Sequence, residues 1–169
     1  MRSRFYSAAL AFALVGCAET GVPSEGFKDI HYGMNLDQLR RLGFDCRPDQ
    51  TSCTRAPGVG NSTLFGKEAL VSVETRNGQV ARIEVTVTLP ANDTLSLLRR
   101  NFGATRRLEL RNRNGQQMGI YIWQATNGTS IAVPDYGLAG RSVVQFNDAA
   151  VTRELLQTAP VSEIDPTDI

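Results

Sequence analysis

The chain predicts an α+β domain in which two short helices lie on one face of an antiparallel β-sheet. Three observations carry this. Residues Val80 to Thr88 alternate, with Ile83, Val85 and Val87 on one face and Arg82, Glu84 and Thr86 on the other. That is the period of a strand buried on one side, as antiparallel sheets are. Leu36, Leu39 and Leu42, and then Leu95, Leu98 and Phe102, repeat at helical spacing. Asn77-Gly78 and Asn127-Gly128 are dipeptides that close tight hairpins.

The elements follow in order. Asn35 caps the first helix, and Gln38 stands three residues on, the spacing of a capping box. Gly43 stops that helix in the left-handed conformation glycine takes cheaply. Leu70 to Thr75 and Val80 to Thr88 are strands joined at Asn77-Gly78. Pro90 ends the second of them, Asn92 or Asp93 caps the next helix, and Gly103 stops it. Met118 to Trp123, Ser130 to Val133 and Ser142 to Phe146 read as three further strands, and Asp148 to Gln157 as a last short helix. Leu36-x-x-Leu39-Arg40-Arg41 matches Leu95-x-x-Leu98-Arg99-Arg100, and an Asn-Gly turn follows each. The layout therefore admits duplication of a helix-hairpin unit.

Upstream of the domain, Met1 to Arg4 carries two positive charges, and Phe5 to Val15 is apolar apart from Tyr6 and Ser7. This is the pattern of a secretory leader. The apolar run is short of the roughly 20 residues that cross a bilayer. It ends in Leu14-Val15-Gly16-Cys17, which resembles the bacterial lipobox. That resemblance implies cleavage before Cys17, diacylglycerol on its thiol, a fatty acyl group on its amine, and attachment to a membrane. Ala18 in the next position implies the outer membrane, facing the periplasm. The expected organisation is a leader over residues 1 to 16 and a lipidated Cys17 with flexible tether to residue 26. One domain follows over residues 27 to 158, then a mobile acidic tail over residues 159 to 169.

Export bears on the two remaining cysteines, Cys46 and Cys53. In an oxidising compartment pairing is the default, contributing about 2.5 kcal/mol on the chain-entropy model. The alternatives are a metal site and a redox pair. A redox pair usually has the spacing Cys-x-x-Cys, whereas six residues intervene here. A metal site would have only His31 to add, since it is the one histidine of the chain. No metal or cofactor is expected. Of 18 basic and 17 acidic residues, removal of Arg2 and Arg4 with the leader leaves a net charge near −1, so no global charge argues for nucleic acid.

Ile30-x-x-Gly33-Met34-Asn35, a leucine helix and Leu42-Gly43 resemble the opening of small bacterial envelope lipoproteins. These are the BamE (SmpA/OmlA) group and the wider β-lactamase-inhibitor-like set. The resemblance covers residues 30 to 43. The sequence departs from it in Phe44-Asp45-Cys46, in the cysteine loop and in a longer second half. It implies two helices on an antiparallel sheet, and a non-enzymatic domain that works by contact with an envelope partner.

Catalytic signals are sparse. Any Ser-His-Asp or Cys-His constellation must use His31, which reads as a loop side chain. The chain has no Gly-x-Ser-x-Gly, phosphate loop or dinucleotide fingerprint. Trp123 stands beside Ile120 and Ile122 and reads as core. One charge feature remains. Arg99, Arg100, Arg106, Arg107, Arg111 and Arg113 stand against Glu109 alone, a local charge of about +5. Guanidinium pairs with carboxylate and phosphate, so the segment is a candidate contact for an anionic envelope partner. The alternatives are a solvated face or pairing with Glu163, Asp165 and Asp168 of the tail. The expected function is a membrane-anchored, non-catalytic interaction or assembly module. The alternative is a periplasmic small-ligand carrier or an envelope enzyme.

Overall fold

Asn35 opens the first helix as its side chain predicts. Its Oδ1 accepts from the Gln38 amide at 2.9 Å, and its own amide donates to Gln38 Oε1 at 2.8 Å. Both halves of the capping box are thus made. This is α1 (Leu36–Arg41), which buries Leu39 and ends at Gly43 with φ at 82°. The computed structural model describes residues 21–47, 51–111, 117–135 and 140–158. The second helix, α2 (Ala91–Phe102), begins before the expected Asn92 or Asp93 cap. Pro90 takes the cap position with φ at −58° and makes no side-chain bond. The ring holds that φ without help, so the turn starts as soon as the Pro90 carbonyl accepts the Thr94 amide.

The strands are β1 (Gly26–Phe27), β2 (Ile30–His31), β3 (Asp45–Cys46), β4 (Ser52–Arg55), β5 (Thr63–Leu64) and β6 (Lys67–Arg76). They continue with β7 (Gln79–Val87), β8 (Arg106–Arg111), β9 (Gln117–Gln124), β10 (Ser130–Pro134) and β11 (Ser142–Asn147). One antiparallel sheet runs β3-β4-β6-β7-β11-β10-β9-β8, with β5 paired to the start of β6. β1 and β2 form a separate hairpin whose Phe27 ring lies 4.8 Å from that of Phe146 on β11. Cys46 and Cys53 face each other across β3 and β4 and are disulfide-bonded.

The strand order describes two like halves: α1 then β3, β4, β6 and β7; α2 then β8, β9, β10 and β11. They meet last strand to last strand, with Val85 opposite Val144. Each half is a helix and a four-stranded meander, larger than the expected helix and hairpin. The two Asn-Gly turns are not equivalent within it. Asn77-Gly78 joins the third and fourth strands of the first half, whereas Asn127-Gly128 follows the second strand of the other half. Such dipeptides satisfy any tight turn and do not identify which one.

Leu39, Leu95 and Leu98 pack with Val71, Val73, Val85, Val144, Ile131 and Trp123 on one face of the sheet. The opposite face carries Glu74, Arg82, Glu84 and Asn147, joined by Arg82 to Glu74 at 3.0 Å and to Asn147 at 3.0 Å. Glu74, Arg82 and Glu84 are half-exposed, as the alternation of β7 predicts, while Asn147 is buried. Towards β8 the same face is covered by the last helix, α3 (Ala149–Thr158), which Asp148 caps. Thr152 of α3 bonds Ser130 at 2.8 Å, and Leu156 packs on Leu108 and Ile122. Helices therefore occupy both faces, two on one and α3 on the other.

The residues expected to form a tether are in part folded. From Val22 the chain is attached: Thr129 donates to the Pro23 carbonyl at 3.3 Å and Asn127 to the Ser24 carbonyl at 3.1 Å. This strap runs along the end of the sheet into β1, so any free tether after Cys17 is shorter than the stretch to residue 26.

Arg55, at the end of β4, is the largest fully buried side chain. Its Nη1 and Nη2 donate to the two carboxylate oxygens of Asp29 at 2.8 and 3.0 Å. Nε donates to Ser62 at 2.9 Å, and Nη1 also to the Leu42 carbonyl at 3.3 Å. The guanidinium stacks on Phe44 at 4.7 Å. Asp29 sits in the β1–β2 turn, Leu42 ends α1, and Ser62 closes the loop before β5, so one cation joins three segments.

The Arg55 guanidinium holds the Asp29 carboxyl below its ordinary pKa. A carboxylate lowered on folding adds stability above its unfolded value, about 3.9. That stability is lost as the pH falls through the lowered value. Asp29→Asn should cost about 3 kcal/mol in urea unfolding at neutral pH, because a buried cation loses its partner. The variant should also lose part of the parent's decline in stability below about pH 4. A second substitution should act in the opposite direction. The Tyr32 hydroxyl is buried without a hydrogen-bond partner among the described residues, and burial pushes its phenol well above the usual range. Tyr32→Phe removes an unpaired polar group and should leave the melting temperature unchanged or raise it, by up to about 1 kcal/mol in stability.

Candidate functional site: the arginine-bearing edge

The arginine segment is not one patch. Arg99 and Arg100 stand in the last turn of α2, while Arg106, Arg107 and Arg111 lie on β8, the edge strand of the sheet. Pairing sends Arg106, Leu108 and Leu110 to the α3 face, opposite Ile122, Ile120 and Met118. Arg107 and Glu109 point to the other face, opposite Tyr121 and Gly119. Arg106 and Arg111 are at opposite ends of the strand, about 17 Å apart at 3.4 Å per residue. Arg113, Cys17, the tail residues Glu163, Asp165 and Asp168, and the side chain of Arg111 lie outside the described residues.

Arg107 is committed internally. It pairs with Glu109 and donates to Asp135 Oδ2 at 2.7 Å. The hydrogen bond to Asp135, and the two carboxylate charges, raise its pKa further. The other Asp135 oxygen accepts the Gly119 amide at 3.0 Å. This explains a glycine in the middle of β9: a Cβ there would overlap both the Asp135 carboxylate and the Arg107 guanidinium. The acids that partner this arginine thus come from β8 itself and from the residue after β10.

Arg99 and Arg107 both stack on Tyr121, at 5.6 and 6.0 Å from its ring centre. Arg99 Nε is buried and has no acceptor among the described residues. Arg100 and Arg106 are exposed; Arg106 donates to the neutral Gln124 at 3.1 Å. Among the described residues, Arg99, Arg100 and Arg106 have no carboxylate partner.

Two grooves flank this region. One, of about 320 Å³, runs between Val22, Phe102, Ala104, Arg106, Trp123 and Gln124. The other, of about 240 Å³ and mostly apolar, lies between the strap and α2 and is lined by Phe27, Leu64, Phe65, Leu98, Phe102 and Phe146. Phe65 occupies the left-handed region at φ 51°, in the two-residue turn before β6. A bulky side chain is uncommon there, and Phe65 takes the conformation because a two-residue hairpin turn needs positive φ at both of its positions, here Phe65 and Gly66.

The remaining sequence candidates are placed plainly. His31 is exposed on β2. Trp123 is core, its Nε1 donating to the Gly103 carbonyl at 2.9 Å. No three His, Cys, Asp or Glu residues gather into a metal-binding group among the described residues. None of the described helices is long and apolar enough to cross a membrane. Sequence reasoning missed the strand character of Arg106–Arg111, where the alternating Leu108 and Leu110 were the available signal. It missed Asp135 altogether.

Comparison with known proteins returned nothing: no family model, curated protein or solved structure matches the chain.

Gly119→Ala should force Asp135 and Arg107 apart and destabilise the domain by about 1–3 kcal/mol, read as a lower urea midpoint. Gly66→Ala, which meets open space at φ 73°, serves as the control for backbone strain alone.

Proposed function

We propose that the chain is an exported envelope lipoprotein, held by lipid on Cys17, whose folded domain works by contact and not by catalysis. The observation that carries this reading is Leu14-Val15-Gly16-Cys17 at the end of a charged and apolar leader, a few residues before the attached strap. The Cys46–Cys53 disulfide supports export, because such bonds persist in oxidising compartments. Ala18 favours the outer membrane as the site of attachment. The contact role draws on the resemblance over Ile30 to Gly43 and on the open edge of β8. An edge strand offers unpaired backbone groups to an extended segment of a partner, and charged side chains on it restrict which partner can pair.

The apolar groove beneath Phe65 favours a second reading, a carrier of a small apolar ligand. Its aromatic lining is the specific support.

Cells fed a labelled fatty acid should transfer label to the protein, and Cys17→Ser should abolish it. Label that persists in the variant overturns the anchor. Affinity capture of the lipidated protein from detergent-solubilised envelopes should retain an envelope protein in fixed ratio. Capture of no protein overturns the contact role, and a small apolar molecule recovered in its place selects the carrier.

A further inference from the structure

We propose that one end of the domain rests on the bilayer that holds Cys17, with Arg99, Arg100 and Arg106 against anionic phospholipid headgroups. The inference rests on the lipid-anchor reading and adds an orientation to it.

The argument begins with reach. Val22 is packed against the domain in the groove it shares with Phe102, Arg106 and Trp123. Cys17 precedes Val22 by five residues, and a fully extended chain covers at most about 3.6 Å per residue. The lipid and this groove are therefore within about 18 Å of each other, whatever path the connection takes. The part of the surface nearest the anchor is the end of the sheet where α2 finishes and β8 begins.

That end holds the arginines that have no carboxylate partner among the described residues. Arg100 precedes Phe102 by two residues and is exposed. Arg106 opens β8, is exposed, and among the described residues donates to the neutral Gln124. Arg99 is half-buried against Tyr121, and its buried Nε has no acceptor among the described residues. Arg107 belongs to another set, since Glu109 and Asp135 occupy it. Arg111 stands at the far end of β8, away from the anchor.

Guanidinium binds phosphate bidentately and carries its charge at every relevant pH. Basic side chains close to an anionic surface each favour the bound state about fivefold, and this attraction falls away within a Debye length. An acyl anchor joined to a basic patch is also a stronger attachment than either alone. The tether brings these arginines to a phosphate surface already, so little further ordering opposes contact. An acidic protein partner would have to displace that surface first.

The test uses the full chain, purified with its lipid and reconstituted in vesicles of phosphatidylcholine, with or without phosphatidylglycerol. Mass spectrometry of Cys17 comes first; an unmodified cysteine overturns the anchor reading and this inference together. A fluorophore is placed at Asn101→Cys on α2, or at Glu68→Cys at the opposite end of the sheet, with an energy acceptor on the headgroups. Phosphatidylglycerol should raise transfer from position 101 and not from position 68. Molar salt should reverse the gain, and Arg100→Glu with Arg106→Glu should abolish it. The close population should fall about fivefold for each arginine neutralised. The salt arm needs no variant and so stands even where a substitution impairs folding. Equal transfer from position 101 with and without phosphatidylglycerol, in protein of confirmed lipidation, overturns the inference and leaves the anchor intact.

Discussion

Arg55 carries a full positive charge into a place without solvent, and the arrangement of the first half of the domain follows from how that charge is satisfied. Its donors are spent on Asp29, Ser62 and the Leu42 carbonyl, and its flat face lies on Phe44. Each partner belongs to a segment too short to hold itself. The β1–β2 hairpin has two residues per strand, and α1 has six residues, well under the length at which an isolated helix is stable. The charge fixes where these pieces stand relative to β4. An apolar side chain of similar volume would fill the same space, and buried ion pairs add little net stability over such replacements. What it would lack is direction: five donors in a fixed plane accept few arrangements of loop and carboxylate.

A second organising relation lies in the strand order. Two meanders meet at β7 and β11, the last strand of each, so the centre of the sheet consists of segments far apart in sequence. Ile83, Val85, Val144 and Phe146 lie side by side across that seam. The outermost strands, β3 and β8, are the first of each half and directly follow α1 and α2. This is why the arginines of α2 and β8 sit at an edge: a helix that leads into the outer strand places its last turn and that strand's first residues together.

The sequence made the long, regular elements legible. Strands β6 and β7, the Asn77-Gly78 turn, the Asn35 capping box and the apolar face of α2 all follow from local periodicity or turn chemistry. The pairing of Cys46 with Cys53 followed from compartment and count. Two-residue strands such as β1, β2 and β3 carry no period to read. Strand β8 was hidden because charged residues fill every position but Leu108 and Leu110. Arg55 is the instructive case. It falls two residues after Cys53 on the inward phase of β4, and an arginine at that phase signals a buried charge that needs a carboxylate. Which carboxylate could not be read, because Asp29 arrives from a turn 26 residues away. The meeting of Arg106 with the strap at Val22 is likewise a fact of tertiary structure. In the chain Arg99, Arg100 and Arg106 are a part of one basic run, and only folding parts them from Arg107 and Arg111.

The strap from Val22 to β1 has a mechanical consequence. Tension applied through the amino terminus loads it before any strand of the main sheet. The first attachments in that path are the side-chain bonds to the Pro23 and Ser24 carbonyls. Next comes the hairpin of β1 and β2, whose turn is moored to Arg55 through Asp29. A pull therefore peels short segments one after another, and the central seam of β7 and β11 is spared until they have yielded.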